Sequence, residues 1–342
     1  MANKQPYIPP YEMTNLITHC IADISEGIGR IMAVAETPFL PKLRRENRIK
    51  TIQASLAIEN NSLTLEQVTD VIDGKRVLGN PKEIQEVRNA FAAYEALNDW
   101  EPGLLDDLLS AHAILMKGLT DEAGRLRKGG VGVFAGKKVV HMAPPAKRVP
   151  GLVADLLDWI KKTDEHPLVT SCVFHYELEF IHPFTDGNGR MGRLWQTLIL
   201  QKWKQVFAWL PVETVIKERQ AEYYQVLAKC DKEGKSTLFI EFILKSLVAT
   251  LAELSESDQV ADHVSDQVKG LVKFLGRKEL GALELMGGLK LSHRPTFRKN
   301  YLTPALEGGW VERDQPDSPR SPNQRYRLTS KGERLLRWLD SK

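Results

Sequence analysis

Twelve consecutive residues, HPFTDGNGRMGR at 182 to 193, dictate more local structure than any other segment of this chain. Gly187-Asn188-Gly189 closes a loop directly ahead of a helical pattern that runs to Lys204. Successive backbone N–H groups at a helix N-terminus form an anion site, and glycines let that backbone approach the anion with no Cβ between them. Arg190 and Arg193 stand three apart on the first turns, so the spacing predicts that both aim from one face at the same anion. Two guanidinium forks beside such a nest imply more than one phosphate.

Asp186, just ahead of the nest, offers a hard oxygen ligand for Mg²⁺ between phosphates. His182 lies one turn of loop earlier, in reach of a proton on a hydroxyl that attacks phosphorus. Pro183 and Phe184 fix and anchor the loop. Each part alone has a plainer reading. A GNG is usually a turn, two arginines on a helix usually face solvent, and a lone histidine is usually a hydrogen-bonded structural residue, as we read His175. Their order within twelve residues favours chemistry.

The rest of the chain to residue 262 reads mostly as helix. Ile17, Cys20, Ile21, Ile24, Ile28 and Ile31 mark an amphipathic first helix. Helical patterns follow at 49–58, from Ser62 with Glu66 as its capping partner, and from Asn80-Pro81 through Leu97. Others cover 151–162, 166–181, 219–230 and 236–254. GGVGVFAGKKVVH at 129–141 breaks the pattern: β-branched residues flank the turn formers Ala135-Gly136, which predicts a β-hairpin.

At 342 residues the chain is long enough for two or three domains. No apolar run approaches the ~20 residues of a membrane span, and the N-terminus lacks the apolar core of a signal peptide. Cys20, Cys172 and Cys230 are scattered and in no metal spacing, as in a reducing compartment, so a cytoplasmic protein without membrane contact is expected. Charge is uneven: the net +3 divides into roughly +7 from Val264 onward and about −4 before it.

The segment at 182–193 resembles the motif HPFx[D/E]GNGRxxR of the Fic (filamentation induced by cAMP) family, matched at His182, Pro183, Phe184, Asp186, Gly187, Asn188, Gly189, Arg190 and Arg193. The resemblance implies a mainly α fold, a helical bundle with a β-hairpin flap. It also implies transfer of AMP from Mg-ATP to a Ser, Thr or Tyr hydroxyl of a protein. Carried over, His182 is the general base and Asp186 holds Mg²⁺. Gly187, Asn188 and Gly189 bind phosphate, and Arg190 and Arg193 take the β and γ phosphates. The hairpin sits where the family's flap lies, with an edge that can align a target segment. Tyr223 and Tyr224 match a position near the family's adenine pocket, with core packing as the equal alternative.

Ser55 and Glu59, four apart on one helix face, resemble the family's inhibitory motif [S/T]xxxE[G/N]. The resemblance implies that Glu59 pairs with Arg193 and fills the γ-phosphate space; AMP removal by the same glutamate stays open. From 264 onward the order of three helical patterns, strand, wing, strand and helix resembles a winged-helix domain. His293, Arg294, Arg298 and Lys299 lie near its recognition helix, and Arg320, Arg325 and Arg327 near its wing, which suits phosphate contacts. DNA, a protein partner and a homodimer all remain open as uses of that domain. The expected division is 1–105 (carrying the inhibitory helix at 49–60), 106–262 (the catalytic core, with its flap at 129–141) and 264–342 (the winged helix). A DNA-binding regulator whose core senses nucleotide is the competing function, and the target protein, which can include the chain itself, is not legible.

Overall fold

The computed structural model describes residues 7–34, 40–130, 132–135, 138–262, 264–315, 321 and 324–340. The chain divides into two compact units, one built mainly on Arg44–Leu251 with the N-terminal helix, the other on Ala252–Lys342.

The first unit opens with α1 (Asn15–Val34), α2 (Leu40–Ile58), α3 (Leu65–Ile72), α4 (Pro81–Glu95) and α5 (Leu105–Leu115). A hairpin follows, β1 (Gly132–Ala135) and β2 (Lys138–Met142), then α6 (Val149–Lys162), α7 (Pro167–Ile181), α8 (Asn188–Trp203), α9 (Val212–Glu218), α10 (Gln220–Glu233) and α11 (Thr237–Asp262), whose residues from Ala252 on count with the second unit. The class is mainly α. Ile17, Cys20, Ile24 and Ile28 are buried along α1, as the spacing predicts. α7 is buried on every side, including Leu168, Phe174, His175 and Leu178, so it is the central helix rather than a surface one. It forms a helical hairpin with α8, and the connecting loop is the segment 182–187.

The end of α2 explains where Ser55 and Glu59 fall. α2 stops at Ile58 because Asn60 adopts a left-handed conformation (φ 67°) and the Asn61 N–H donates back to Leu56 O, a Schellman-type ending. Glu59 therefore sits in the turn, released from helical packing. The cap of α3 differs from expectation: Thr64, not Ser62, is the N-cap, and Gln67, not Glu66, completes the capping box. Ser62 Oγ instead donates to Glu83 Oε2 at 2.8 Å. Asn80 caps α4 and Pro81 opens it, as expected.

β1 and β2 pair antiparallel, with an irregularity between Val133 and Phe134. Of the turn formers Ala135-Gly136, Ala135 ends β1, and Gly136 lies outside the described residues.

The second unit contains α12 (Asp266–Leu275), β3 (Leu280–Gly281), α13 (Ala282–Gly288), α14 (Arg294–Phe297), a π turn at Arg298–Leu302, α15 (Thr303–Glu307), β4 (Val311–Arg313), β5 (Arg325–Leu328) and α16 (Ser330–Asp340). Its sheet has the order β3-β5-β4, all antiparallel. Leu271, Leu275, Leu285, Phe297, Trp310 and Tyr326 form its core. β4 and β5 are the two strands expected in the order read from 264 onward, but β3 was not expected. Two residues are too few to show alternation, and only pairing with Arg325 and Tyr326 makes them a strand.

Candidate active site

The loop between α7 and α8 is held by its own side chains. His182 ends α7 in the left-handed region (φ 50°, ψ 60°), a conformation that histidine tolerates better than most non-glycine residues. Phe184 is fully buried and stacks on His112 with ring centroids 3.7 Å apart. Asn188 grips the Phe184 backbone from both sides: its Oδ1 accepts from Phe184 N at 2.9 Å and its Nδ2 donates to Phe184 O at 2.9 Å. The Asn188 side chain is thus spent on shaping the loop, and only its backbone N–H is left to face an anion. Gly187 is left-handed (φ 84°), and a Cβ there would meet Met116 Sδ at 2.6 Å.

His112 was not singled out by sequence, because nothing in its own helix marks it. Its Nδ1 accepts from Gly124 N at 2.9 Å, which puts the proton on Nε2 and makes that nitrogen the donor to Asp186 O at 3.0 Å. Burial pushes its pKa down to about 4, so the ring is neutral and serves as a strut. Arg127 and Glu179 were missed for the same reason. Glu179 lies one turn before His182, with Oε2 4.0 Å and its carbonyl oxygen 3.3 Å from His182 Nδ1.

The two arginines do not converge. Arg190 reaches Glu86 at 3.4 Å and Asp186 at 3.3 Å, whereas Arg193 turns to α2. There Arg193 Nε donates to Ser55 Oγ at 2.9 Å, and Nη2 donates to Ser55 O at 3.1 Å and to Glu59 Oε1 at 2.7 Å. Three residues on a helix are 60° apart, and the carboxylate of Glu86 on α4 draws Arg190 the other way. Burial would lower the pKa of Arg193, but Glu59 and other nearby groups raise it above its ordinary value. Its charge is therefore permanent.

Two observations mark an anion position here. Arg193 is 1% exposed, yet its Nη1 has no hydrogen-bond partner among the described residues. A Cβ on Gly189 would lie 3.1 Å from that Nη1 and would collide with Glu59 Oε1. The Glu59 carboxylate therefore rests against the first turn of α8, where a helix N-terminus and a guanidinium favour negative charge.

Asp186 fits a Mg²⁺ role of limited kind. Its side chain is about half exposed and Oδ1 accepts from Gly187 N at 2.6 Å. Among the described residues no cluster of three His, Cys, Asp or Glu could hold a metal. One carboxylate beside a phosphate cradle is what Mg²⁺ needs when substrate phosphates complete its shell.

Tyr223 and Tyr224 part company. Tyr223 is 1% exposed, packs on Phe239 and Phe242, and its hydroxyl lies 3.1 Å from His175 Nε2. His175 Nδ1 faces Gln196 Oε1 at 2.8 Å, an oxygen that can only accept, so Nε2 accepts from the tyrosine. Burial pushes the His175 pKa down to about 3, in keeping with a structural residue. Tyr224 is 46% exposed and is the one of the pair with an accessible face; its hydroxyl and Gln220 Nε2 both donate to Ile58 O at the end of α2, at 3.3 and 2.7 Å.

The chain is similar to the crystal structure of a Fic family protein from Desulfovibrio desulfuricans G20, with 62% sequence identity, 95% of this chain and 99% of that chain covered, and a TM-score of 0.71. The chain belongs to the Fic family. Residues 102–200 match the Fic/DOC family, and residues 266–329 match the C-terminal domain of Fic-like proteins. The Fic fold extends to a Caenorhabditis elegans Fic-1 structure at 25% identity, covering 72% of each chain with a TM-score of 0.59. Among curated relatives, a Caenorhabditis briggsae protein named protein adenylyltransferase fic-1 is 31% identical over 225 residues, 62% of this chain. A Nematostella vectensis protein adenylyltransferase Fic is 27% identical over 265 residues, 73% of this chain. This Fic chain matches only 42% and 58% of the lengths of those two relatives.

Proposed function

We propose that this chain is a protein adenylyltransferase: it moves AMP from ATP to a Ser, Thr or Tyr hydroxyl of a protein and is held back by Glu59. The observation that carries this reading is the buried Arg193 beside Gly189 at a helix N-terminus: Glu59 holds its charge from one side, and its Nη1 keeps a donor with no partner among the described residues that a phosphate could take. The relatives' names support adenylyl transfer to a protein, and the Ser, Thr or Tyr hydroxyl comes from the family resemblance.

In this reading the acceptor oxygen attacks the α-phosphorus of ATP. The new O–P bond forms as the bond to the bridging oxygen breaks, and pyrophosphate leaves. His182 takes the proton of the attacking hydroxyl. Backbone N–H groups at Gly187 to Gly189 and the Arg190 and Arg193 guanidiniums stabilise the phosphate charge. Mg²⁺ at Asp186 would neutralise charge between phosphates. Tyr224 offers a face to the base, and the hairpin edge aligns the target, which can be the chain itself. With Glu59 against α8, ATP binds in a pose that does not react. Removal of AMP from a modified hydroxyl is a second activity open to the same site.

Mass spectrometry of the chain and a host lysate after incubation with Mg-ATP tests the reaction type. One added AMP is expected. A mass gain of one phosphate, or no gain from a Glu59→Gly chain, would remove adenylylation.

A cytoplasmic setting is supported by three free, buried cysteines. No helix among the described residues is long and apolar enough to cross a membrane.

For the second unit we propose a winged-helix module that contacts duplex DNA, which keeps the regulator reading as the alternative. Its support is narrower than the charge count suggests. Arg325 and Arg327 are paired with Glu284, Glu312 and Glu279, and Arg320 lies outside the described residues. What is left on the helix side is His293, Arg294, Arg298 and Lys299, all exposed. Affinity for duplex DNA should fall steeply with salt, and replacing Arg294 and Arg298 by alanine should reduce the log–log salt slope by about 2. No binding at low salt would leave the unit a protein-contact module.

A further inference from the structure

Arg127 is 3% exposed, and burial lowers its pKa with no carboxylate among the described residues offsetting the shift. Backbone carbonyls take the place of a counter-ion. Its Nε donates to His182 O at 2.6 Å and its Nη2 to Ile181 O at 3.3 Å, both at the end of α7. The same guanidinium donates from Nη1 to Gly129 O at 2.9 Å and from Nη2 to Pro144 O at 2.6 Å, on either side of the β1–β2 hairpin. Its own N–H donates to Pro183 O at 2.9 Å. One planar fork thus joins both feet of the hairpin to Ile181 and His182, where α7 gives way to the catalytic loop, and the backbone of the same residue holds Pro183. His182 holds a left-handed backbone, and such a conformation persists only where its surroundings over-determine it.

We propose that Arg127 is a positioning residue that fixes the His182 backbone and makes the hairpin and the catalytic loop move as one body. The proposal rests on the adenylyltransferase reading only for its kinetic consequence. Lysine keeps the charge but offers three donors from a single point, and cannot span four divergent carbonyls as the fork does.

Hydrogen exchange of the full chain, unmodified and as Arg127→Lys, tests the coupling without any activity. In the unmodified chain, the amides of Ile181, His182 and Phe184 and those of 132–135 and 138–142 should open with the same free energy across a denaturant series. In Arg127→Lys both groups should exchange about tenfold faster or more, while α4 and the second half of α8 stay as they were. Different opening energies in the unmodified chain, or acceleration of one group alone, would overturn the proposal. So would uniform acceleration throughout the first unit, which is what a purely structural arginine would give.

In a Glu59→Gly background, Arg127→Lys should lower kcat for AMP transfer about 10²-fold with the KM for ATP within about threefold, since a misplacement near 1 Å suffices for such a loss. Unchanged kcat in a chain whose exchange has changed would deny Arg127 any part in placing His182. If Glu59→Gly alone transfers no AMP, the adenylyltransferase reading fails, and the exchange result still decides the coupling.

Discussion

His182→Ala should lose about 10²–10⁴-fold in the rate of AMP transfer while ATP still binds, because the phosphate cradle does not use the imidazole. The substitution has a second effect that must be separated from the first. Residue 182 sits at φ 50°, where alanine costs roughly 1–2 kcal/mol and asparagine far less. His182→Asn is therefore the cleaner variant: it keeps the turn that Arg127 and Asn188 hold, and removes only the base. Both should show the same loss in rate, with His182→Ala also less stable to heat. Transfer at the original rate by either folded variant would take the proton-accepting role from His182.

How much of this site is legible in the sequence follows from how far apart its parts lie. The cradle is local: Gly187, Asn188 and Gly189 precede a helix, and helix-terminus geometry follows from a few consecutive residues. The hairpin and most of the helices are legible for the same reason, since apolar period and turn formers are short-range signals, whereas α5 and α9 were not expected. The capping residue of α3 slipped by two because Ser62 and Thr64 are both good N-caps, and only the path of the chain into α3 selects between them.

What spacing cannot show is where a long side chain goes once other helices arrive. Arg190 and Arg193 share a helix face on paper, but Glu86 on α4 and the Ser55–Glu59 turn on α2 draw them apart. Tyr223 and Tyr224 are adjacent, yet His175 and Phe239 enclose one and leave the other half open. His112 and Arg127 carry no local mark at all. Their partners are mostly backbone groups far along the chain, at Asp186, Pro144, Ile181 and His182, and a backbone carbonyl has no signature in a sequence. The Glu59–Arg193 pair, 134 residues apart, is foreseeable only through the family resemblance; the four-residue spacing of Ser55 and Glu59 says no more than that one arginine could read both.

Glu59→Gly should raise AMP transfer to the chain itself strongly, and the geometry narrows the range. Truncating one partner of a charge pair costs about 2–5 kcal/mol when both charges are desolvated. Arg193 is 1% exposed but the Glu59 side chain is 34% exposed, so water screens the pair and the low end, about 2 kcal/mol, is the better expectation. At about 1.4 kcal/mol per tenfold this releases ATP binding in the reactive pose by roughly 30-fold, with 1000-fold as an outer bound for a pair of about 4 kcal/mol. Glycine at this position leaves α2 intact, because Ile58 is the last helical residue and the chain is already turning. Adding Arg193→Ala to Glu59→Gly should abolish the gain, since the same guanidinium is needed for the phosphate that replaces the carboxylate. Transfer by Glu59→Gly at the unmodified rate under saturating Mg-ATP would make the contact with Arg193 a structural pair only. A rise in bound AMP can also come from lost removal, and the two causes differ in a time course begun from pre-modified protein without ATP. If Glu59 acts only as a brake, both chains keep the label; if it also places the water that removes AMP, the unmodified sequence sheds it and Glu59→Gly does not.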